Sequence, residues 1–312
     1  MSVTVAILTY KRAWALQHSL FSIANQKMRP DEVLIILKKS PDDYSEQVIS
    51  KFEKELPIRV IEQFQGNFVD AMQIAIENAK GKFLLFLDDD AIAEDKWVEK
   101  YVQLLEQHND IGAFSGITYR AYIINGSIIR TQELETGPLI PTPKVFYRKP
   151  LPIFQDYCEW ISVSGLLGSK SCNDDLIKSA FLHGANMGFK TELIRDCPLS
   201  LLYRRSKKGL LNEQVLAYCV RIKGYHIFRS LNPSISPIVW HISHESSLTR
   251  SKGFWHEFWL HYDRAMNYWR LKKLGAQVSL IAYIIAILII MRRHPLPRLL
   301  ATIYALINLL FY

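Results

Sequence analysis

Three consecutive carboxylates, Asp88-Asp89-Asp90, follow directly on an unbroken apolar run, Phe83-Leu84-Leu85-Phe86-Leu87. A run of that length and composition suits a strand buried on both faces of a parallel sheet. Three like charges at the lip of a buried strand repel one another and resist desolvation, and a divalent cation is the usual remedy. Ligands of open α/β sheets sit outside the carboxyl ends of the strands, which is where these aspartates fall. Asp88 and Asp90, two residues apart, can both turn an oxygen toward one hard ion such as Mg²⁺ or Mn²⁺. The competing explanation is a solvated acidic turn before a helix that starts at Asp95.

Other islands carry chemistry-bearing side chains. Asn212-Glu213-Gln214-Val215-Leu216-Ala217 opens a helix that ends at Gly224. Taken alone, Glu213 is a first-turn glutamate that complements the helix dipole. His241 follows an apolar strand over 235–239; a lone histidine there is more often structural, but His244, Ser247 and Arg250 lie close by in sequence and could form a phosphate-facing cluster with it. His183-Gly184-Ala185-Asn186-Met187-Gly188-Phe189-Lys190 forms a turn-rich island before a helix starting near Thr191; an asparagine there serves a turn as readily as a ligand. Near the start of the chain, Thr9-Tyr10-Lys11-Arg12 ends a short apolar strand over 3–8.

The elements that must position these groups alternate. The first strand leads to a helix with apolar positions Leu16, Leu20, Phe21 and Ile23. A strand at 32–37, a helix at 44–56 and a strand at 58–61 follow. Next come a helix at 69–79, ended by Gly81 in the left-handed conformation, and then the 83–87 strand. A helix over 95–108 and a strand over 111–119 come after the aspartates, and 133–152 is a proline-rich loop. Strand–helix alternation of this kind builds an α/β fold, a mainly parallel sheet with helices on both faces.

The 312 residues suffice for one large domain and an appendage, and a charged fraction of 22% excludes global disorder. The net charge of +8 is concentrated late. No acidic residue follows Asp263, while Arg264, Arg270, Lys272, Lys273, Arg292, Arg293 and Arg298 do. A tail both basic and apolar fits an anionic membrane surface better than nucleic acid, for which no motif is present. Its two apolar runs, 278–291 and 299–312, fall short of the ~20 residues a simple spanning helix needs. Two helices lying in the membrane interface, with the intervening arginines reaching headgroups, are therefore expected. A helical hairpin packed on protein is the alternative. Cys158, Cys172, Cys197 and Cys219 show neither CxxC pairs nor zinc-ligand spacing, so free thiols in a reducing compartment are expected. The N-terminus shows no signal peptide. The expected location is cytoplasmic, peripheral or monotopic at the membrane.

Four islands in order on this background resemble the family 2 glycosyltransferases. They are Val5-Ala6-Ile7-Leu8-Thr9-Tyr10-Lys11-Arg12, Phe86-Leu87-Asp88-Asp89-Asp90, Gly184-Ala185-Asn186-Met187-Gly188-Phe189-Lys190 and Asn212-Glu213-Gln214-Val215-Leu216-Ala217. The aspartate island is similar to that family's DxD motif, and coverage runs over about 3–250. The resemblance implies a GT-A fold over 1–262, with a nucleotide-sugar half over about 1–118 and an acceptor half over about 119–262. Residues 263–312 then form a helical membrane-associating region. It further implies inverting transfer from a nucleotide-diphosphate sugar to a hydroxyl or phosphate acceptor, lipid-linked or glycan, with Mn²⁺ or Mg²⁺. On that resemblance Glu213 is the general base; Asp88, Asp90 and His241 hold the metal; and Thr9, Tyr10, Arg12, Asp88 and Asp89 bind the donor. His183 and Asn186 face the acceptor.

The chain departs from the family pattern at three places. Leu37, followed by Lys38 and Lys39, stands where an aspartate usually recognises the nucleotide base. Gln73 replaces an asparagine, and Asn212 replaces the first acid of the late motif. The base is therefore left open. Two other functions compete. A nucleotidyltransferase wants a glycine-rich loop after the first strand, which Thr9-Tyr10-Lys11-Arg12-Ala13 lacks. A non-catalytic membrane scaffold is favoured by Leu37 and Asn212, but the Asp88/Asp90 pair and Glu213 argue against it.

Overall fold

A computed structural model describes residues 2–135, 137, 139–244 and 253–309. The chain opens β1 (Val3–Thr9), α1 (Ala13–Ala24), β2 (Glu32–Leu37), α2 (Ser45–Phe52), β3 (Ile58–Glu62), α3 (Phe68–Asn78) and β4 (Phe83–Leu87). It continues through β5 (Ala91–Ala93), α4 (Trp97–Gln107), β6 (Ile111–Ser115), β7 (Ile117–Ile124), β8 (Ser127–Leu134), β9 (Glu159–Ile161), β10 (Leu167–Ser169), β11 (Leu176–Lys178) and β12 (Asn186–Lys190). The last elements are α5 (Leu199–Tyr203), α6 (Asn212–Ile222), β13 (His226–Ser230), β14 (Ile238–Ile242), α7 (Phe254–Lys273), α8 (Leu280–Met291) and α9 (Pro295–Leu309).

The central sheet runs β11-β13-β6-β12-β4-β1-β2-β3. β1 lies between β2 and β4 and pairs in parallel with both, in the register Val3↔Phe83 to Ala6↔Phe86 on the β4 side. That register carries the ends of β1 and β4 out together, so the residues after Thr9 meet those after Leu87. Every residue of β4 is buried, as a strand covered by helices on both faces requires. A second sheet, β5-β14-β7-β8, brings the end of β14 against the segment that follows the aspartates.

Several local expectations change. Residues 111–119 are not one strand: β6 and β7 belong to different sheets and part at Gly116. A side chain there would strike the Pro237 carbonyl at 2.2 Å and the Asn186 amide at 2.3 Å. The 183–190 island is only partly a turn. Its second half, β12, is a buried strand antiparallel to both β4 and β6. Gly188 suggested a turn, but it is required because a Cβ would lie 2.6 Å from the Tyr101 ring. No helix starts at Thr191; a single 3₁₀ turn does, and α5 begins at Leu199. Gly81 has no left-handed backbone; it lets the chain pass so close to Thr4 that a Cβ would lie 2.4 Å from the Thr4 amide. Phe21, counted as an apolar contact of α1, is exposed.

The cysteines require a correction. Cys158–Cys172 and Cys197–Cys219 are disulfide-bonded, with Cα–Cα separations of 6.1 and 6.0 Å. The partners are 14 and 22 residues apart and meet only through tertiary structure, which motif spacing does not sample. The expected reducing compartment loses its basis with them.

The tail also differs in detail. Pro295 opens α9 instead of interrupting the apolar stretch, as a first-turn proline can. Arg298, expected to reach headgroups, is buried; its guanidinium meets Glu257 on α7 at 2.8 Å and the Ile290 carbonyl at 2.6 Å. Arg292 and Arg293 do point to solvent. α7 and α9 pack together around Phe258, Tyr262, Met266, Ala301 and Ala305, while Leu280, Ile281, Ile284 and Leu288 on α8 and Leu299, Ile303 and Ile307 on α9 remain exposed. Among the described residues, no helix is long and apolar enough to cross a membrane.

Candidate active site

The aspartates lie in the loop that follows β4, and the segments on either side decide what each one meets. Arg12, at the start of α1, reaches Asp89 Oδ1 at 2.9 Å and Asp90 Oδ2 at 3.0 Å. Lys11 just before it is held at φ +55°, a left-handed backbone rare outside glycine, which turns Arg12 back over the sheet edge. Ser19 on α1 donates to the Ala91 carbonyl at 2.7 Å and the Asp89 carbonyl at 2.9 Å, fixing the loop's path. From the far side, His241 at the end of β14 brings Nε2 to 2.9 Å from Asp90 Oδ1 and 4.0 Å from Asp88 Oδ2. His244 Nε2 approaches Asp90 Oδ2 at 2.6 Å. Asp90 is 1% exposed and is the hub of the cluster.

Electrostatics separate the three carboxyls. Burial and the neighbouring Asp90 charge push Asp88 up to about 6 and Asp89 up to about 7, with Arg12 opposing in both cases. Burial would raise Asp90 too. The His241 charge and the hydrogen bonds from His241 and His244 outweigh it and hold Asp90 well below the usual carboxylate range. His241 is raised well above its ordinary value despite burial, because Asp90 and Glu135 both face it.

Glu135 is a site residue that sequence reasoning missed. It lies just beyond β8, and its Oε2 is 2.6 Å from His241 Nδ1. No motif marks it: its partner is 106 residues away, and only the pairing of β7 with β14 brings them together. A carboxylate on Nδ1 keeps the proton there and leaves Nε2 as the nitrogen facing the aspartates, the arrangement common to metal-binding histidines. Oxygens of Asp88 and Asp90 and a ring nitrogen of His241 lie within 4.8 Å of one another. Two carboxylates and one imidazole oriented in this way fit a divalent ion such as Mn²⁺ or Mg²⁺. Glu135→Gln is expected to lower Mn²⁺ affinity about 10- to 100-fold by freeing the imidazole, with Tm little changed. Calorimetric titration of Mn²⁺ checks this, and unchanged affinity would remove Glu135 from the site.

Glu213 occupies the first turn of α6 and is half-buried. Burial, with added repulsion from Asp88 and Asp263, pushes its carboxyl up to about 7. Its Oε1 stands 3.1 Å from where a Cβ on Gly184 would lie, so the 183–186 turn passes directly over it. Asp88 and Glu213 thus feel each other across the same end of the sheet.

The remaining candidates divide. His183 lies beside the cluster: its ring centroid is 6.4 Å from that of His241, and Thr118 Oγ1 is 3.1 Å from its Nδ1. Burial pulls it down to about 4, so it is neutral at pH 7. Asn186 does not face an acceptor. It is fully buried; its amide donates to the Ile117 carbonyl at 2.8 Å and the Pro237 carbonyl at 3.1 Å, and its oxygen accepts from Trp97 and Tyr101, both at 2.8 Å. Two donors and two acceptor sites are all an asparagine side chain has. Thr9 is buried beside Asp89. Tyr10 is half-exposed at the mouth of the site, with Lys11 and Lys38 ammonium groups 5.5 and 5.6 Å from its ring centre. Lys38 also donates to the Gly66 carbonyl at 2.7 Å. Gln73 accepts from the Leu199 amide at 2.8 Å and caps α5. Ser247 and Arg250 lie outside the described residues.

A family model described as Glycosyl transferase family 2 matches residues 4–166, just over half of the chain. Among curated proteins, an uncharacterized glycosyltransferase of Haemophilus influenzae is 26% identical over 215 residues, covering 58% of this chain and 66% of its own length. A chondroitin synthase of Escherichia coli is 25% identical over 111 residues, 35% of this chain and 16% of its own. The chain therefore spans less than two thirds of these relatives. Among solved structures, S. aureus TarS 1-349 in complex with UDP-GlcNAc superposes with a TM-score of 0.53 at 14% identity, over 86% of this chain and 66% of that one. GalNAc-T7 with UDP, GalNAc and Mn²⁺ gives a TM-score of 0.54 at 15% identity, over 78% and 44%. At these identities the likeness is one of fold, and that fold is GT-A.

Proposed function

The chain belongs to glycosyl transferase family 2, and from that premise we propose that it is a metal-dependent, inverting glycosyltransferase of the hexosyltransferase type. It moves a sugar from a nucleotide-diphosphate donor to a hydroxyl or phosphate acceptor. The observation that carries this reading is the convergence of Asp88, Asp90 and His241 within 4.8 Å, at the sheet end where Glu213 feels the Asp88 charge.

Each residue then has a task. Asp88, Asp90 and His241 hold the cation, which supplies Lewis-acid stabilisation of the departing diphosphate. Arg12 keeps Asp89 and Asp90 in place by neutralising them from the other side. Tyr10, half-exposed between two lysines, offers a ring face and positive charge to the nucleotide. Glu213 takes the acceptor proton as the acceptor oxygen attacks the anomeric carbon. The bond from that carbon to the diphosphate oxygen breaks, and its electron pair leaves with the diphosphate. A carboxyl pushed up to about 7 is partly ionised and basic enough for that transfer near neutral pH.

The exposed apolar faces of α8 and α9, with Arg292 and Arg293 beside them, support work at a membrane surface on a lipid-linked acceptor. In this reading 263–312 is the membrane-associating region.

The test incubates the full chain with a panel of nucleotide sugars and Mn²⁺, with and without anionic phospholipid vesicles. One donor should release its nucleoside diphosphate slowly, and the protein should sediment with the vesicles. Silence with every donor, together with no Mn²⁺-dependent nucleotide binding, would leave a non-catalytic scaffold.

A further inference from the structure

Asp263 and Arg270 stand two turns apart on α7, exposed by only 0% and 1%. Withdrawing two charges from water is costly, and apolar residues of similar volume would join the helix to its neighbours about as well. What the pair touches shows a more specific task. Asp263 Oδ1 accepts from Arg270 at 2.7 Å, while its Oδ2 accepts from Ser206 Oγ at 2.8 Å and the Leu210 amide at 3.0 Å. Arg270 Nε donates to the Leu202 carbonyl at 3.0 Å, and its guanidinium lies 3.6 Å from the Tyr203 ring centre. Tyr203 donates to the Leu210 carbonyl at 3.2 Å, and Ser206 Oγ accepts from the Gly209 amide at 2.8 Å. The whole 202–210 segment is thus pinned to α7.

That segment launches α6. Leu211 adopts φ +70°, a left-handed backbone that strains a residue with a Cβ and persists only where neighbours over-determine it. Asn212 and Glu213 follow at once. The Asp263 bond to the Leu210 amide sits immediately before the strained residue, and the Asn212 side chain donates to the Gly209 carbonyl at 2.7 Å just after it, so the direction in which α6 starts is held from both sides.

We propose that Asp263, with Arg270 and Ser206, is a positioning device for Glu213: it locks Leu211 in its left-handed conformation and so aims the carboxylate over the sheet edge. The proposal rests on Glu213 being the general base. Releasing the Leu210 amide lets Leu211 relax to negative φ and swings the first turn of α6. A misplacement of about 1 Å in a reacting group can lower a rate about 100-fold without touching donor binding.

The test compares Ser206→Ala, Asp263→Asn and Glu213→Gln in the full chain. It reads nucleoside diphosphate release from the active donor, donor affinity with Mn²⁺, and Tm. Ser206→Ala removes one strut and leaves the ion pair intact; kcat should fall roughly tenfold with donor KM within about twofold. Adding Leu211→Gly should restore most of that rate, since glycine adopts positive φ without the steric cost a Cβ imposes. Asp263→Asn should lose more activity and also lower Tm. Strut variants that lower Tm with kcat unchanged, or a Leu211→Gly change that rescues nothing, overturn the positioning role while leaving Glu213 as base. A Glu213→Gln enzyme that keeps its turnover, or a wild-type chain that turns over no donor, overturns both.

Discussion

Glu213→Gln is expected to lower kcat by about 10²–10⁴-fold while leaving donor affinity with Mn²⁺ within about twofold. The substitution keeps the shape and hydrogen-bonding reach of the side chain but removes its ability to accept a proton. The Asp88–Asp90 cluster lies on other segments and is linked to Glu213 through the Asp88 charge, not through a contact the substitution removes. Loss of donor binding in this variant would show that Glu213 holds the donor and is not the base. The pH profile gives an independent reading. With the carboxyl pushed up to about 7, the competent carboxylate disappears as pH falls through that value, and kcat should drop about tenfold per unit below it. Stability runs the other way. The folded-state value lies above the ordinary 4.5, so the folded chain binds this proton more tightly than the unfolded chain does. The resulting stabilisation is complete below about 4.5 and is lost as pH rises toward 7. Glu213→Gln, which carries no charge to desolvate, should therefore raise Tm at pH 8 even as it abolishes transfer.

Asp88→Asn and Asp90→Asn should both abolish Mn²⁺-dependent nucleotide binding, and Tm should tell them apart. Asp88 is half-buried, and its ion-pair partner among the described residues is His241 at 4.0 Å, so its loss relieves repulsion with Asp90 and leaves Tm level or higher. Asp90 is the acid on which Arg12, His241 and His244 converge. Its replacement removes the central anion of the cluster; Arg12 keeps Asp89 and His241 keeps Glu135, so the expected loss is about 3 kcal/mol, with a Tm lower by several degrees. Titration of Mn²⁺ and nucleoside diphosphate into each variant, with thermal melts beside it, checks both halves. An Asp88→Asn protein that still takes up the Mn²⁺–nucleotide complex as wild type does would show that these carboxylates are not the cation's seat.

Asp88 and Asp90 are legible as a candidate cation pair from the residues alone, whereas Glu213 and His241 take their roles only from the family resemblance. Each sits at the end of an element whose apolar pattern is strong: β4, β14 and α6. An acid directly after a buried strand has few places to go. Asn186 shows the converse. Its polar side chain in a glycine-rich stretch suggests a ligand, yet four partners from α4, β7 and the approach to β14 use up its hydrogen-bonding capacity. Its role is to join the two sheets where Gly116 lets them part. Arg298 misled in the same way: a cation between apolar runs suggests a solvent-bound side chain until α7 supplies Glu257.

By itself the sequence determined the strand–helix alternation, the burial of β4, the place of the acid triplet at its end and the apolar character of the tail. These follow from side-chain hydrophobicity and backbone preference over a few residues, which neighbouring positions alone express. The tertiary structure decided which charge meets which: Arg12 on Asp89 and Asp90, Glu135 behind His241, Asp263 beneath the start of α6, and the pairing of four cysteines. Those partners lie between 14 and 106 residues apart. A polar group is satisfied by whatever the closed fold brings within about 3 Å, and local pattern carries no record of that.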